Sequence, residues 1–332
     1  MPFPVATARR RHAIALLLGS AAVGLIPTAW AQAPYPGKAI TVVVPFPAGG
    51  QTDLIGRIVS DQLSKRLGQP VVVENRPGVN GSLGSDQVAR ATADGYTLVV
   101  TGPGTHAINQ LVNANVKYDA RKDFTHIGMI TRAGNVLLAS PAFKGKSVAD
   151  VVAMSKASPR SLNFALTGIG SSGHMSMELL KQSAGIDFNA IPYKGDAPAI
   201  TDLIGGQVDL LFVNATTAGT YVKAGKLRGL AVTSPGRNAL LPDLPTMAEA
   251  GSSGVVIESW TGLAGPAGLP APIVERLHRE LQSILEMPEI RERFAATGNA
   301  AMPGTPADAA GFIAGEVAKW GRVVQAGNIR IE

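Results

Sequence analysis

The chain has 332 residues, a formal net charge of +6 and no cysteine. The lack of cysteine excludes disulfide bonds, thiolate metal sites and a lipid attached to an N-terminal cysteine. Because lysine and arginine are dispersed and not clustered with aromatic residues, nucleic-acid binding is not expected.

Residues 1–31 have the three parts of a secretory signal peptide. Three arginines, Arg9–Arg11, precede an apolar run, Ala13–Ile26, and Ala29-Trp30-Ala31 forms an A-x-A cleavage site. The run is shorter than the roughly 20 residues that a membrane-spanning helix requires. We therefore predict export to the periplasm with cleavage after about Ala31, by the general secretory or the twin-arginine route. The remainder is long enough for two domains.

Short strands rich in β-branched residues alternate with amphipathic helices through most of the remaining chain. Such alternation predicts parallel sheets covered by helices on both faces, and the nearly continuous apolar strands agree with burial on both faces. The predicted strands are Ala39–Val44, Pro70–Val73, Thr97–Thr101, Leu162–Leu166, Phe188–Tyr193, Val208–Val213 and Leu227–Thr233. The predicted helices are Thr52–Leu67, Leu83–Ala91, Val148–Ala157, Gly173–Ala184, Ala197–Ile204, Pro272–Leu285 and Pro306–Ala326.

The alternation breaks twice, which predicts two lobes. Near the first break, the strands Ile127–Ile130 and Val136–Ala139 are expected to be joined by a loop, and Val255–Leu269 forms the second break. We expect lobe 1 at residues 36–135 and 259–332, and lobe 2 at residues 136–258. Two chain crossings make a hinge, and ligand sites favour clefts between domains.

The most informative loop, Pro45-Phe46-Pro47-Ala48-Gly49-Gly50, joins the first strand to a helix that starts near Thr52. The prolines hold the approach extended, and the paired glycines bring bare backbone close to a ligand. Unpaired N–H groups at a helix start are a ready site for a carboxylate or phosphate. We therefore interpret the loop as a ligand site and not merely as a turn: Phe46, Pro47, Ala48, Gly49 and Gly50.

Further polar, glycine-bearing loops follow other strands, and in parallel sheets ligands collect beyond the carboxyl ends of strands. One loop spells G-x-G-x-x-G, but the next strand ends at Lys194 without the acid that a dinucleotide site needs. Lys194 is equally compatible with pairing to a ligand carboxylate and with simple solvation. The candidate ligand residues in these loops are Ser82, Thr101, Thr105, His106, Gly168, Gly170, Ser171, Ser172, His174, Tyr193 and Lys194.

Catalytic and metal-binding patterns are not recognisable. The histidines show no metal-ligand spacing, and Gly170-Ser171-Ser172-Gly173 is not the G-x-S-x-G of a nucleophile elbow. We expect no enzyme activity, no cofactor and no metal, with an exported hydrolase built on Ser171 and His174 as a remote alternative. Trp260 is expected to pack at the hinge and not to contact a ligand.

Taken in order, these loops resemble the Bug family of extracytoplasmic solute receptors, the TctC-like binding subunits of tripartite tricarboxylate transporters. The resemblance covers nearly all of the chain after the signal peptide. It is carried by Tyr35-Pro36, Pro45-Phe46-Pro47-Ala48-Gly49-Gly50 with Asp53, Glu74-Asn75-Arg76-Pro77-Gly78, Asp94-Gly95-Tyr96-Thr97-Leu98, Gly168 to His174, Pro192-Tyr193-Lys194-Gly195, Gly206-Gln207-Val208-Asp209 and Leu244-Pro245-Thr246.

The resemblance implies a two-lobed α/β fold of the type II periplasmic binding proteins, each lobe a mostly parallel sheet flanked by helices, with the ligand cleft between them. It implies that the loop from Phe46 to Gly50 holds a ligand carboxylate, partly through ordered waters. Gly170, Ser171 and Ser172 would face that carboxylate from the second lobe, and Thr101 and Thr105 would flank the cleft.

One position departs from the family pattern. Members commonly have an aspartate just after the strand that follows Gly-Gly-Gln-Val-Asp, whereas this chain has Asn214-Ala215-Thr216. The change disfavours amino-acid ligands and favours plain mono- or dicarboxylates, aliphatic or aromatic, with Asn214 and Thr216 as further ligand contacts. We therefore expect a monomeric periplasmic receptor that delivers a small carboxylate to membrane permease subunits. A sensor that presents its ligand to a membrane kinase remains the alternative.

Overall fold

The computed structural model describes residues 1–2 and 35–329. The predicted signal peptide and its cleavage site lie, apart from the first two residues, outside this range. The chain from Pro36 onward forms one compact unit. Within the described residues, no helix is both long and apolar enough to cross a membrane.

Ten strands and ten helices alternate through the described chain, with a 3₁₀ turn at Val79–Gly81 and a π-helical turn at Gly104–Ile108. The strands are β1 Ile40–Val44, β2 Val71–Asn75, β3 Thr97–Thr101, β4 Phe124–Ala139, β5 Asn163–Leu166, β6 Asn189–Pro192, β7 Leu210–Asn214, β8 Arg228–Val232, β9 Glu258–Pro266 and β10 Ala300–Ala301. The helices are α1 Gln51–Leu67, α2 Ser82–Ala89, α3 Asn109–Val112, α4 Val148–Ala157, α5 Ser172–Ala184, α6 Asp196–Ile204, α7 Ala215–Lys223, α8 Ala271–Glu286, α9 Pro288–Ala295 and α10 Pro306–Ala326.

The long strand β4 joins two groups of strands. Up to Gly134 it pairs antiparallel with β9, and from Asn135 onward it pairs antiparallel with β7 and β8. The first half-sheet therefore comprises β1, β2, β3, β9, β10 and the first part of β4, and the second half-sheet comprises β5 to β8 and the last part of β4. The outer pairs of both half-sheets are parallel. The predicted α/β class is confirmed, with mixed half-sheets in place of mostly parallel ones.

The loop predicted between Ile127–Ile130 and Val136–Ala139 is wrong, because both segments belong to the continuous strand β4. Polar residues at the centre of this strand are satisfied inside the sheet, so they do not end it. Oγ1 of Thr131 hydrogen-bonds Oγ1 of Thr261 at 2.7 Å, and the N–H of Asn135 donates to Oγ1 of Thr233 at 2.8 Å.

The apolar stripe of α10 packs on the first half-sheet. Ile313, Val317, Trp320 and Val324 are all buried there, in a cluster that also contains Trp260 of β9. Glu316 on the same helix accepts hydrogen bonds from Nε1 of Trp260 at 3.2 Å and from Nε1 of Trp320 at 2.8 Å. This buried carboxylate ties α10 to the strand along which the chain returns to the first half-sheet.

Candidate ligand-binding cleft

The loops after β1 and β3 and the loop before α5 border an open cavity of about 160 Å³. A cavity of about 150 Å³ holds one molecule of the size of benzene, so this cavity suits a compact ligand. Its described lining is uncharged and combines hydroxyl and amide groups with aromatic and backbone surface: Phe46, Thr52, Asn80, Gly102, Pro103, Gly104, Ser171, Ser172, Ser259 and Trp260.

A second cavity, of about 240 Å³, lies beside the residues at which β4 passes between the half-sheets. It is larger, but its two arginines already have partners. Arg132 lies 3.5 Å from Glu258, and Arg237 lies 3.1 Å from Glu249. Because none of the predicted ligand residues lines it, the smaller cavity is the candidate ligand site.

Asp53 fixes the conformation of the first loop. Its carboxylate, 4% exposed, accepts hydrogen bonds from the backbone N–H of Gly49 at 2.9 Å, from Arg57 at 3.0 Å and from Asn75 at 2.8 Å. Asn75 also donates to the carbonyl of Phe46. Burial opposes the charge of Asp53, but hydrogen bonds from Arg57, Gly49 and Asn75 outweigh it, so its pKa is lowered. The loop is therefore held in place by a buried carboxylate whose charged form is favoured.

The start of α1 is open to a ligand. Gly50 is its N-cap and supplies no side-chain hydrogen bond, so the first N–H groups of this helix lack a side-chain partner. Thr52, in the first turn, lines the cavity. Of the predicted loop residues, Phe46 lines the cavity, whereas Pro47, Ala48, Gly49 and Gly50 are exposed.

The loop before α5 is organised by hydrogen bonds within itself. Oγ of Ser171 caps α5 by accepting the N–H of His174 at 3.1 Å, and the N–H of Gly170 donates to Nδ1 of His174 at 3.1 Å. The carbonyl of Gly168 accepts the N–H of Ser171. Because Oγ of Ser171 accepts the capping bond, its O–H remains available to donate toward the cavity that Ser171 lines.

His174 supports this loop from inside the protein. Burial, reinforced by repulsion from Lys181, lowers the pKa of His174 to about 4. The ring is therefore neutral at pH 7, and its Nδ1 acts as the acceptor for the N–H of Gly170. His174 does not line the cavity, so its position is that of a residue that orients the loop.

Four other predicted residues lie beneath the loops of the first half-sheet and not on the cavity wall. Ser82, Thr101, Thr105 and His106 are all at most 6% exposed. Oγ1 of Thr105 hydrogen-bonds Nδ1 of His106 at 2.8 Å and donates to the carbonyl of Gly102 at 3.3 Å. Thr105 thereby holds Gly102, the first residue of the segment Gly102 to Gly104 that forms part of the wall.

Four further predicted residues do not line the cavity. Three of them make hydrogen bonds within the protein, and the fourth is exposed to solvent. The hydroxyl of Tyr193 donates to Asp202 at 2.8 Å, and Lys194 is exposed. Asn214 caps α7 by accepting the N–H of Thr217, and the hydroxyl of Thr216 donates to the carbonyl of Thr297.

Several wall residues were not among the predicted ligand residues. Asn80 lies in a loop whose polar character was recognised, but its orientation depends on backbone torsions that the sequence does not reveal. Ser259 and Trp260 reach the wall because β9 pairs with the end of β3, where Gly262 lies opposite Thr101. Trp260, expected only at the hinge, therefore also forms part of the cavity wall.

Comparisons with known proteins all point to one protein family. The model of the family described as "Tripartite tricarboxylate transporter family receptor" matches residues 55–329. Protein BugT of Bordetella pertussis is 36% identical over 292 residues, which cover 88% of this chain and 90% of BugT.

Solved structures are similar over almost their whole length. Rpa4515 of R. palustris with adipate has a TM-score of 0.81 and 36% identity, covering 89% of this chain and 99% of that one. MatC from Rhodopseudomonas palustris with bound malate has a TM-score of 0.77 and 33% identity, covering 87% and 100%. These similarities confirm the predicted two-lobed α/β fold.

Proposed function

This chain belongs to the family of tripartite tricarboxylate transporter receptors, and on that premise we propose that it captures a small organic carboxylate in the periplasm. Delivery of the ligand to the membrane subunits of a tripartite tricarboxylate-type transporter completes the proposed role. The family consists of binding proteins, which confirms the expectation that the chain is not an enzyme.

One observation carries the proposal of a carboxylate: an uncharged cavity lies against the starts of two helices. Thr52 in the first turn of α1 and Ser172 at the start of α5 both line it. Helix starts carry partial positive charge and unpaired N–H groups that favour an anion. Binding by neutral donors remains reversible, as a transport receptor requires.

The ligands of two similar proteins support the same class. Rpa4515 was solved with adipate and MatC with malate, and both molecules are small carboxylates. The apolar ring of Phe46 in the wall suits the carbon body of such an acid. We propose a ligand that places its carboxylate at the helix starts and its body against this ring.

We further propose that residues 36–135 and 259–332 form lobe 1 and residues 136–258 form lobe 2. The change of pairing partners of β4 between Gly134 and Asn135 supports the first boundary. The start of β9 at Glu258, which returns to the first half-sheet, supports the second. The cavity then lies between the lobes, and bending of β4 and β9 opens it.

A two-stage experiment tests the function. First, purified protein is screened by thermal shift against carboxylates, because a ligand at a hundredfold excess over its Kd stabilises the native state by ~2.7 kcal/mol. Second, uptake of the acid that binds is measured in cells with and without the gene. Loss of uptake in the deletion strain supports the proposal, whereas normal uptake with loss of a transcriptional response to the acid would establish sensing instead.

A further inference from the structure

The turn that leads into α2 has a backbone that one of its residues, Val79, strongly disfavours. Gly78, Val79, Asn80 and Gly81 have φ angles of 138°, 47°, 52° and 85°. Glycine adopts positive φ readily and asparagine tolerates it, but the region is strongly disfavoured for a β-branched residue such as Val79. Backbone strain of this kind concentrates at ligand sites, and Asn80 lines the cavity.

Tight packing holds the turn against its neighbours. A Cβ atom on Gly81 would stand 2.6 Å from Cγ2 of Thr105, 3.1 Å from Cζ of Phe46 and 3.1 Å from the carbonyl oxygen of Pro45. The turn therefore packs directly against the loop after β1, at Pro45 and Phe46, and against Thr105 in the π-helical turn after β3. Asn80 is fixed in position relative to Phe46.

A buried partner, Asn109, fixes the side-chain orientation of Asn80. Nδ2 of Asn109 donates to the carbonyl of Asn80 at 2.8 Å and to Oγ of Ser82 at 2.9 Å. A carbonyl oxygen only accepts, so the atom of Asn109 that faces it must be the nitrogen. Oδ1 of Asn109 must then be the atom that accepts from Nδ2 of Asn80, at 2.8 Å. Asn80 is left with Oδ1 and one N–H to offer a ligand.

We propose that Asn80 determines specificity by hydrogen-bonding a hydroxyl group on the carboxylate ligand. The inference rests on the proposed function, because it assumes that the carboxylate itself is held at the helix starts. A hydroxyl both donates and accepts, so it satisfies Oδ1 and the remaining N–H together. A second carboxylate would oppose Oδ1 with another acceptor, and a methylene would displace water from this exposed amide without replacing its hydrogen bonds. Sites built to bind a hydroxyl discriminate against the analogue that lacks it.

The test is calorimetric titration of the purified protein with matched acids: lactate and propionate, malate and succinate, 3-hydroxybutyrate and butyrate, and 4-hydroxybenzoate and benzoate. We expect the hydroxylated acid of at least one pair to bind at least 10-fold more tightly. Asn80→Gly, which tolerates the positive φ, should reduce this preference to less than 3-fold while the affinity for the unsubstituted acid changes by less than 3-fold. Asn115→Ala removes an exposed amide outside the cavity and should keep the preference.

The outcomes separate this inference from the proposed function. Equal affinity of the wild-type protein for both members of every pair that binds overturns the role of Asn80. Equal weakening of both members by Asn80→Gly also overturns it, because a structural role would produce that result. Failure of every acid to bind contradicts the proposed function, and the inference with it. Should Asn80→Gly fail to fold, Asn80→Asp, which also tolerates the positive φ, is measured: loss of the N–H should reduce the preference, and an unchanged preference would overturn the role of Asn80.

Discussion

The backbone N–H of Gly49 donates a hydrogen bond of 2.9 Å to Oδ2 of Asp53. This bond links the exposed loop after β1 to a buried carboxylate in the first turn of α1. The loop thereby acquires a fixed shape although its glycines provide no side-chain contacts.

Asp53→Asn should weaken ligand binding at least 10-fold. The substitution removes the charge that pairs with Arg57 at 3.0 Å, and an amide satisfies the surrounding donors less well than a carboxylate does. Calorimetric titration measures the loss. Asp61→Asn is the control, because Asp61 makes an i,i+4 pair with Lys65 on the exposed face of the same helix. Equal affinities of the two variants would contradict the prediction.

Gly49→Val should weaken binding far more than it weakens folding. Gly49 has φ of 88°, and a Cβ there would meet no atom within 4 Å. The cost to folding is therefore backbone strain of about 1–3 kcal/mol, whereas the same strain disturbs the N–H bond to Asp53 that fixes the loop carrying Phe46 into the cavity wall.

Gly68→Val is a matched control for this strain. Gly68, the C-cap of α1, has φ of 68° and the same open space around a Cβ. Urea unfolding should show similar losses of stability in both variants, and only Gly49→Val should lose affinity. A ligand affinity of Gly49→Val equal to that of Gly68→Val would show that the exposed loop is not a binding element.

The protein should lose stability as the pH falls from about 6.5 toward 4. His174 has a pKa near 4 in the folded protein, lowered from 6.5, so the unfolded chain binds more protons in this range and is favoured by acid. Fully developed, this shift corresponds to about 3 kcal/mol. The pKa values of His106 and His126 are also lowered, mainly by burial, and act in the same direction.

Urea unfolding at pH 7 and pH 5 measures this dependence. His174→Gln should show a smaller loss of unfolding free energy between the two pH values than the wild-type protein does. An identical loss in the two proteins would mean that His174 is not the buried neutral acceptor described above.

Glu316→Leu should destabilise the protein by roughly 2–4 kcal/mol, because two buried indole N–H groups lose their acceptor and each unpaired group costs about 1–3 kcal/mol. The donors are Nε1 of Trp260 and Nε1 of Trp320. Equilibrium unfolding in urea measures the change. Glu275→Leu, at an exposed position of α8, should change stability little. Comparable losses in the two variants would contradict a stabilising role for the hydrogen bonds of Glu316.

The sequence predicts elements well where the apolar period is regular and the ends carry turn residues. The predicted bounds of β3 and α4 agree with the structure. The helix α7 was missed because its short Ala-Thr-Thr-Ala start shows no apolar stripe, and its cap, Asn214, was interpreted as a ligand residue. The continuity of β4 was missed because its polar centre is satisfied by partners distant in sequence, Thr233 and Thr261.

The residues of the cavity wall likewise include some that the sequence predicts and some that it does not. Phe46, Ser171 and Ser172 could be identified because each lies in a glycine-bearing loop between a strand and a helix. Asn80 and Trp260 could not, since their places on the wall depend on tertiary relationships. Asn80 depends on a turn of four positive φ angles, and Trp260 on the pairing of β9 with β3.

The most direct test of the central claim is a titration of the purified protein with small carboxylates and with their uncharged amides of equal size. We predict that at least one carboxylate binds, that its amide binds at least 10-fold more weakly, and that Gly49→Val abolishes the difference. Amides that bind as tightly as the acids, or binding of the acid that Gly49→Val leaves unchanged, would contradict capture of an anion at the start of α1, which the loop after β1 positions.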